Sequence, residues 1–81
     1  MISKQPGKTV FIYGKDGCPF CVKAVELCKQ KNVDFVYRNL SKGDWIIEDL
    51  TEMLGQRPTT VPQIFVDEIH IGGFNELNDY I

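Results

Sequence analysis

KTVFIYGKDGCPFC, residues 8–21, is the stretch whose reading decides the fold. Lys8 to Tyr13 is a near-continuous run of β-branched and aromatic residues, which reads as a buried central strand rather than an edge. Gly14 to Gly17 is a loop. Pro19 then opens a helix, at the first helical position, where its missing N–H costs nothing. Val22, Ala24, Val25, Leu27 and Cys28 supply the apolar side of that helix. Lys23, Glu26, Lys29 and Lys31 supply its wet side.

Cys18 and Cys21 sit at this strand-to-helix junction, and the context matters more than the spacing. A cysteine at a helix start faces unpaired backbone N–H groups and the positive end of the helix dipole. Both favour thiolate over thiol, and the thiolate is the nucleophile. Cys18 comes first and is expected to be the exposed member. Cys21 lies one turn inside on the same face and can close a disulfide with it. Lys15 adds a cation nearby. The implied cycle is attack by Cys18 on a disulfide, then release by Cys21 or by an external thiol. The competing readings are a metal or cluster pair and two inert core thiols. A four-ligand zinc site needs two more ligands, and only Cys28 and His70 are available; they form no second close pair. Cys28 stands seven residues after Cys21, so about 10 Å away along the helix, beyond disulfide reach. It reads as a small core residue.

Outward from this core, Val33 to Leu40 forms a second strand. Ser41-Lys42-Gly43-Asp44 has the spacing of a helix cap. Ile46, Ile47, Leu50, Met53 and Leu54 recur at helical spacing, and Gly55 is the expected stop. Gln56 to Thr60 is a loop. Gln63 to Val66 and Glu68 to Ile71 are short strands around Asp67, close enough for a tight hairpin. Gly72-Gly73 breaks the chain, and Phe74 to Ile81 makes a short last helix. Residues 1–7 are a polar lead-in. The order is βαβαββα in one domain over residues 1–81. Strands one and two should be parallel, with a right-handed crossover, and the hairpin should add antiparallel strands.

Composition narrows the function. Of 81 residues, 43% are hydrophobic and 25% charged, an ordinary globular balance. No apolar run approaches a membrane span of about 20 residues. The net charge of −2 argues against a nucleic-acid binder. Three cysteines are too few, and odd in number, for a disulfide-stapled secreted fold, and Met1 begins no leader peptide. A reducing, cytoplasmic setting is therefore expected. Residues 1–31 carry six lysines against Asp16 and Glu26, while residues 32–81 carry three cations against nine acids. The basic part holds all three cysteines.

Several residues far along the chain could face the cysteines. Thr60-Val61-Pro62 precedes the third strand, where proline is unusual. A cis bond before Pro62 would turn the Val61 backbone outward to pair an extended peptide. A trans proline at a strand start explains the same residues equally well. Gly72-Gly73 before Phe74-Asn75-Glu76 is either a helix start able to hold a carboxylate or a plain turn. Lys15 and Arg57 are candidate carboxylate anchors or solvated charges. His70 reads as a surface or structural residue. Phe11, Phe35, Tyr37 and Phe65 fall at strand positions and read as core. Phe20 lies between the cysteines and should be partly exposed beside the sulfur. Trp45 opens the second helix and carries no assigned function.

Taken together, Cys18-Pro19-Phe20-Cys21 after a buried strand, Thr60-Val61-Pro62-Gln63-Ile64-Phe65-Val66, and Ile71-Gly72-Gly73-Phe74 resemble the glutaredoxin family over about residues 8–80. The chain looks most like its small dithiol members from bacteria and phages. The resemblance implies an α/β thioredoxin fold, with a four-stranded mixed sheet flanked by three helices. It implies a monomeric, glutathione-dependent thiol–disulfide oxidoreductase, with no metal cofactor, that serves protein disulfides such as that of ribonucleotide reductase. It makes Cys18 the nucleophile, Cys21 the resolving thiol and the Val61–Pro62 bond cis. Glutathione would lie across Lys15, Phe20, Thr60, Val61 and Pro62, with its γ-glutamyl end by Gly73, Asn75 and Glu76. Two competing readings within reach are a redoxin served by thioredoxin reductase and a dimer bridging an iron–sulfur cluster. The presence of Cys21 counts against the monothiol, cluster-delivering branch.

Overall fold

Seven elements follow one another in a computed structural model that describes residues 9–81. They are β1 (Val10–Gly14), α1 (Pro19–Gln30), β2 (Phe35–Asn39), α2 (Asp44–Leu54), β3 (Gln63–Val66), β4 (Ile69–Gly72) and α3 (Phe74–Tyr80), with a single 3-10 turn over Leu40–Lys42. The lead-in over residues 1–7 and Lys8, placed above in the first strand, lie outside the described residues.

The four strands make one sheet in the order β2-β1-β3-β4. β1 runs parallel to β2 and antiparallel to β3, and β3 and β4 close the hairpin. This is the mixed sheet with three helices that the resemblance implies. Strand side chains alternate between faces, and the two cores follow that alternation. Val10, Ile12, Ile64 and Val66 meet Ala24, Leu27 and Cys28 of α1 and Leu77 of α3. Tyr13 and Phe65 meet Ile46 and Leu50 of α2 on the opposite face. So α1 and α3 cover one side and α2 the other. The central β1 is buried at Val10, Ile12 and Tyr13, as its sequence requires.

Three local expectations change. Ser41 does not cap α2. The Asn39 side chain accepts a hydrogen bond from Ser41 N at 2.8 Å and holds the 3-10 turn, while Gly43 stands at the N-cap of α2. Val22 is 57% exposed rather than on the apolar side of α1, because Cys21, Ala24, Leu27 and Cys28 at three- and four-residue spacing take the inner face. Tyr37 is 37% exposed rather than core, because β2 is an edge strand. Gly55 ends α2 as expected, with the left-handed φ of 81° that glycine adopts most readily.

Candidate active site

Cys18 is the N-cap of α1, in extended backbone, and Pro19 follows as the first helical residue. Its sulfur accepts a hydrogen bond from the Cys21 backbone N–H at 3.2 Å. A sulfur in this position takes the place of the usual capping oxygen and faces the positive end of the helix dipole. Cys18 and Cys21 form a disulfide, with Cα atoms 5.2 Å apart. Cys18 is partly exposed, whereas Cys21 is 1% exposed. Of the two, Cys18 is the more accessible.

The opposite wall comes from the turn into β3. The Val61–Pro62 peptide bond is cis, and the Val61 carbonyl oxygen lies 3.9 Å from Cys18 Sγ. A groove of about 450 Å³ runs along this wall. It gathers Phe20, Thr60, Val61, Pro62, Gly73, Asn75 and Glu76 of the expected set. Lys15 lies off it, in a second hollow of about 290 Å³ that shares Thr60 and Val61 with the groove. Arg57 and Lys15 line that hollow together, so the two candidate anchors meet at one end of the site.

The start of α3 is built by its own acid. Gly73 N donates to Glu76 Oε1 at 2.8 Å. That bond, with help from the Glu76 backbone N–H, holds the Glu76 carboxyl below its usual range. Gly72 has a φ of 125°, and a Cβ there would stand 2.7 Å from Glu76 Cγ, so the Gly-Gly pair lets the acid fold over the turn.

Some lining residues carried no separate signal in the sequence. Gln63 Nε2 donates to the Thr60 carbonyl at 2.9 Å, and Gln63 Oε1 lies 2.8 Å from His70 Nε2. Gln63 thus clips the Val61–Pro62 turn to β4, and His70 serves structure, packed 5.0 Å from the Phe65 ring. Phe74 lies 5.9 Å from Phe20, and the Lys23 ammonium sits 4.9 Å over the Phe20 ring. Period-two and helical patterns place residues on faces; they do not say which faces meet.

Cys28 is a fully buried free thiol, and burial raises its pKa to about 11. Trp45 is 61% exposed, away from the groove. Among the described residues no group of three or more His, Cys, Asp or Glu is placed to hold a metal ion, and no helix is long and apolar enough to cross a membrane.

Residues 10–71 match the family model described as Glutaredoxin. The chain is 43% identical over 76 residues to a glutaredoxin of Vibrio cholerae, covering 88% of this chain and 87% of that one. It is 39% identical over 75 residues to glutaredoxin 1 of Escherichia coli, covering 86% and 88%. The solved structure of reduced Escherichia coli glutaredoxin superposes with a TM-score of 0.73 at 34% identity, over 89% of this chain and 91% of that chain. A buckwheat glutaredoxin–glutathione complex superposes with a TM-score of 0.71 at 27% identity, over 89% of this chain and 66% of that chain.

Proposed function

Since the chain belongs to the glutaredoxin family, and is thereby a thiol–disulfide oxidoreductase of thioredoxin fold, we propose that it reduces protein disulfides and glutathione mixed disulfides with electrons drawn from glutathione. The observation that carries this reading is the placement of Cys18, at the start of α1, 3.9 Å from the carbonyl oxygen of Val61, which itself lines the groove of about 450 Å³. A neighbour solved in complex with glutathione supports it.

The chemistry proceeds by two displacements. The Cys18 thiolate attacks one sulfur of a protein disulfide. A Cys18–substrate disulfide forms, the substrate S–S bond breaks, and the departing sulfur leaves with the electron pair and takes a proton from water. Cys21, as thiolate, then attacks Cys18 Sγ. The Cys18–Cys21 disulfide forms and the second substrate sulfur leaves reduced. Two glutathione molecules restore the dithiol and leave as glutathione disulfide. With a glutathione mixed disulfide the cycle runs on Cys18 alone.

The tripeptide lies along the groove. Its cysteinyl backbone pairs with Val61, and Thr60 and Pro62 shape that wall. Its glycyl carboxylate points to Lys15. Its γ-glutamyl carboxylate meets the N–H groups after Gly73, near Asn75 and Glu76. Phe20 packs beside the reacting sulfurs. The basic region around the cysteines favours an anionic tripeptide on electrostatic grounds. The resemblance points to ribonucleotide reductase among the protein substrates, and to a cytoplasmic monomer as the working form.

A coupled assay of NADPH oxidation with a glutathione mixed disulfide tests this reading. One arm holds glutathione and glutathione reductase, the other thioredoxin reductase alone. Turnover confined to the glutathione arm is expected. Turnover confined to the other arm would keep the fold and overturn the groove, and silence in both would shift the reading toward cluster binding.

A further inference from the structure

Behind the disulfide, on the side away from the glutathione groove, lies a hollow of about 330 Å³. Tyr37 and Cys21 both line it, and between them lies Gly14, the last residue of β1. A Cβ at Gly14 would stand 2.6 Å from the Tyr37 hydroxyl oxygen and 2.7 Å from Cys21 Sγ. Hydroxyl and sulfur therefore border the same bare backbone position and lie no more than about 5 Å apart. The sheet sets this up: β1 and β2 are parallel with Ile12 opposite Tyr37, and Phe35, two residues before Tyr37, packs into the α1 core. Tyr37 is thus directed to the α1 face.

The resolving step asks something unusual of Cys21. It must become a thiolate while 1% exposed. Cys28 on the same helix shows what burial alone does to a thiol, since its pKa is raised to about 11. The backbone N–H of Cys21 points to Cys18 Sγ and so serves the other sulfur. A buried thiolate needs a donor of its own.

We propose that the Tyr37 hydroxyl is that donor, holding the Cys21 thiolate by a hydrogen bond, direct or through one water, and so speeding release of the substrate from Cys18. The proposal rests on Cys21 being the resolving thiol. Burial and the nearby Asp16 carboxylate keep the tyrosine proton on its oxygen, so it remains a donor. The charged groups around the hollow are Lys15 and Asp16 from the loop after β1 and Glu26 and Lys29 from α1. Asp16 accepts a hydrogen bond from Asn39 Nδ2 at 2.8 Å, which holds it at the β2 side. The proton leaving Cys21 passes to water in this hollow. Tyr37 stays protonated throughout, and no electrons pass through it.

The test uses the reduced full chain and an aromatic disulfide, 5,5′-dithiobis(2-nitrobenzoate), in stopped flow. Cys18 attack releases one coloured thiolate, and Cys21 attack on the resulting mixed disulfide releases a second. Tyr37→Phe removes the hydroxyl and keeps the ring. It is expected to slow the second release about ten-fold at neutral pH, the size of effect for a hydrogen bond to a charged group. The first release should change less, and the deficit in the second should shrink as pH rises and solvent ionises Cys21 in both proteins. An unchanged second release, or equal slowing of both releases at every pH, would overturn the proposal, the latter by showing a structural role. Cys21→Ser separates the underlying reading: it should release one thiolate only, and release of two would remove the resolving role of Cys21 itself.

Discussion

The sulfur of Cys18 lies 3.9 Å from the carbonyl oxygen of Val61, although 43 residues of chain separate them. The sheet brings them together. β1 and β3 are antiparallel neighbours with Tyr13 opposite Gln63, so the end of β1 that leads to the cysteines lies beside the start of β3 that follows Pro62. The proposed nucleophile is thereby carried by a helix start, and the proposed substrate wall by a strand start, on one sheet.

The two cysteines are expected to separate by substrate. Cys18→Ser should abolish reduction of every disulfide. Cys21→Ser should keep turnover of a glutathione mixed disulfide and lose reduction of a protein disulfide such as insulin, measured by turbidity. Retained insulin reduction by Cys21→Ser would remove the second displacement.

Gly14→Ala should damage both stability and the dithiol reaction. The added methyl would stand 2.6 Å from the Tyr37 hydroxyl and 3.0 Å from Cys21 Cβ, so one of the two must move. Overpacking of this kind costs about 1–3 kcal/mol. Denaturant unfolding of the oxidised protein measures it, and a wild-type midpoint would show that the space over Gly14 is open.

Cys28 should resist alkylation in the folded protein. With a pKa near 11, only about a thousandth of it is thiolate at pH 8. The same shift carries a stability consequence of definite sign. The folded state holds the Cys28 proton more tightly than the unfolded chain, whose value is about 9.0. Its contribution is therefore complete below about pH 9 and is lost as pH rises toward 11. Cys28→Ala should flatten that alkaline decline, and rapid labelling of native Cys28 at pH 8 would contradict its burial.

Glu76 works in the opposite direction. Its carboxyl is held below the usual range, first by the Gly73 N–H and then by its own N–H. Its contribution is present above the ordinary glutamate value of about 4.3 and is lost as pH falls through the lower folded value. Glu76→Gln should therefore melt lower than wild type at neutral pH, and the gap should close in acid. A gap constant with pH would mean that the charge does not matter at the start of α3.

Much of this was legible in local sequence. The β-branched run before Gly14 is the central strand, Pro19 starts α1, and Gly55 ends α2. The failures lie where two local solutions compete or where distant elements choose the outcome. Ser41 is taken into a 3-10 turn that Asn39 caps, so α2 starts after Gly43 with no side-chain cap. Val22 reads inward by its apolar side chain and Tyr37 by its strand position, though the inner face of α1 and the edge position of β2 leave both accessible. The residues around Pro62 allowed cis and trans alike, and the structure has the cis form. The pairing of Gln63 with Thr60 and His70, and of Tyr37 with the space over Gly14, depends on strand register, which no single strand encodes.

The most direct measurement is to treat the reduced Cys21→Ser protein with glutathione disulfide near neutral pH and map the adduct by peptide mass spectrometry. Without Cys21 to displace it, glutathione should stay on the nucleophile. One glutathione on Cys18, with Cys28 unmodified, is the predicted result. An adduct on Cys28, or none on Cys18, would contradict the assignment of Cys18 as the sulfur that exchanges with glutathione.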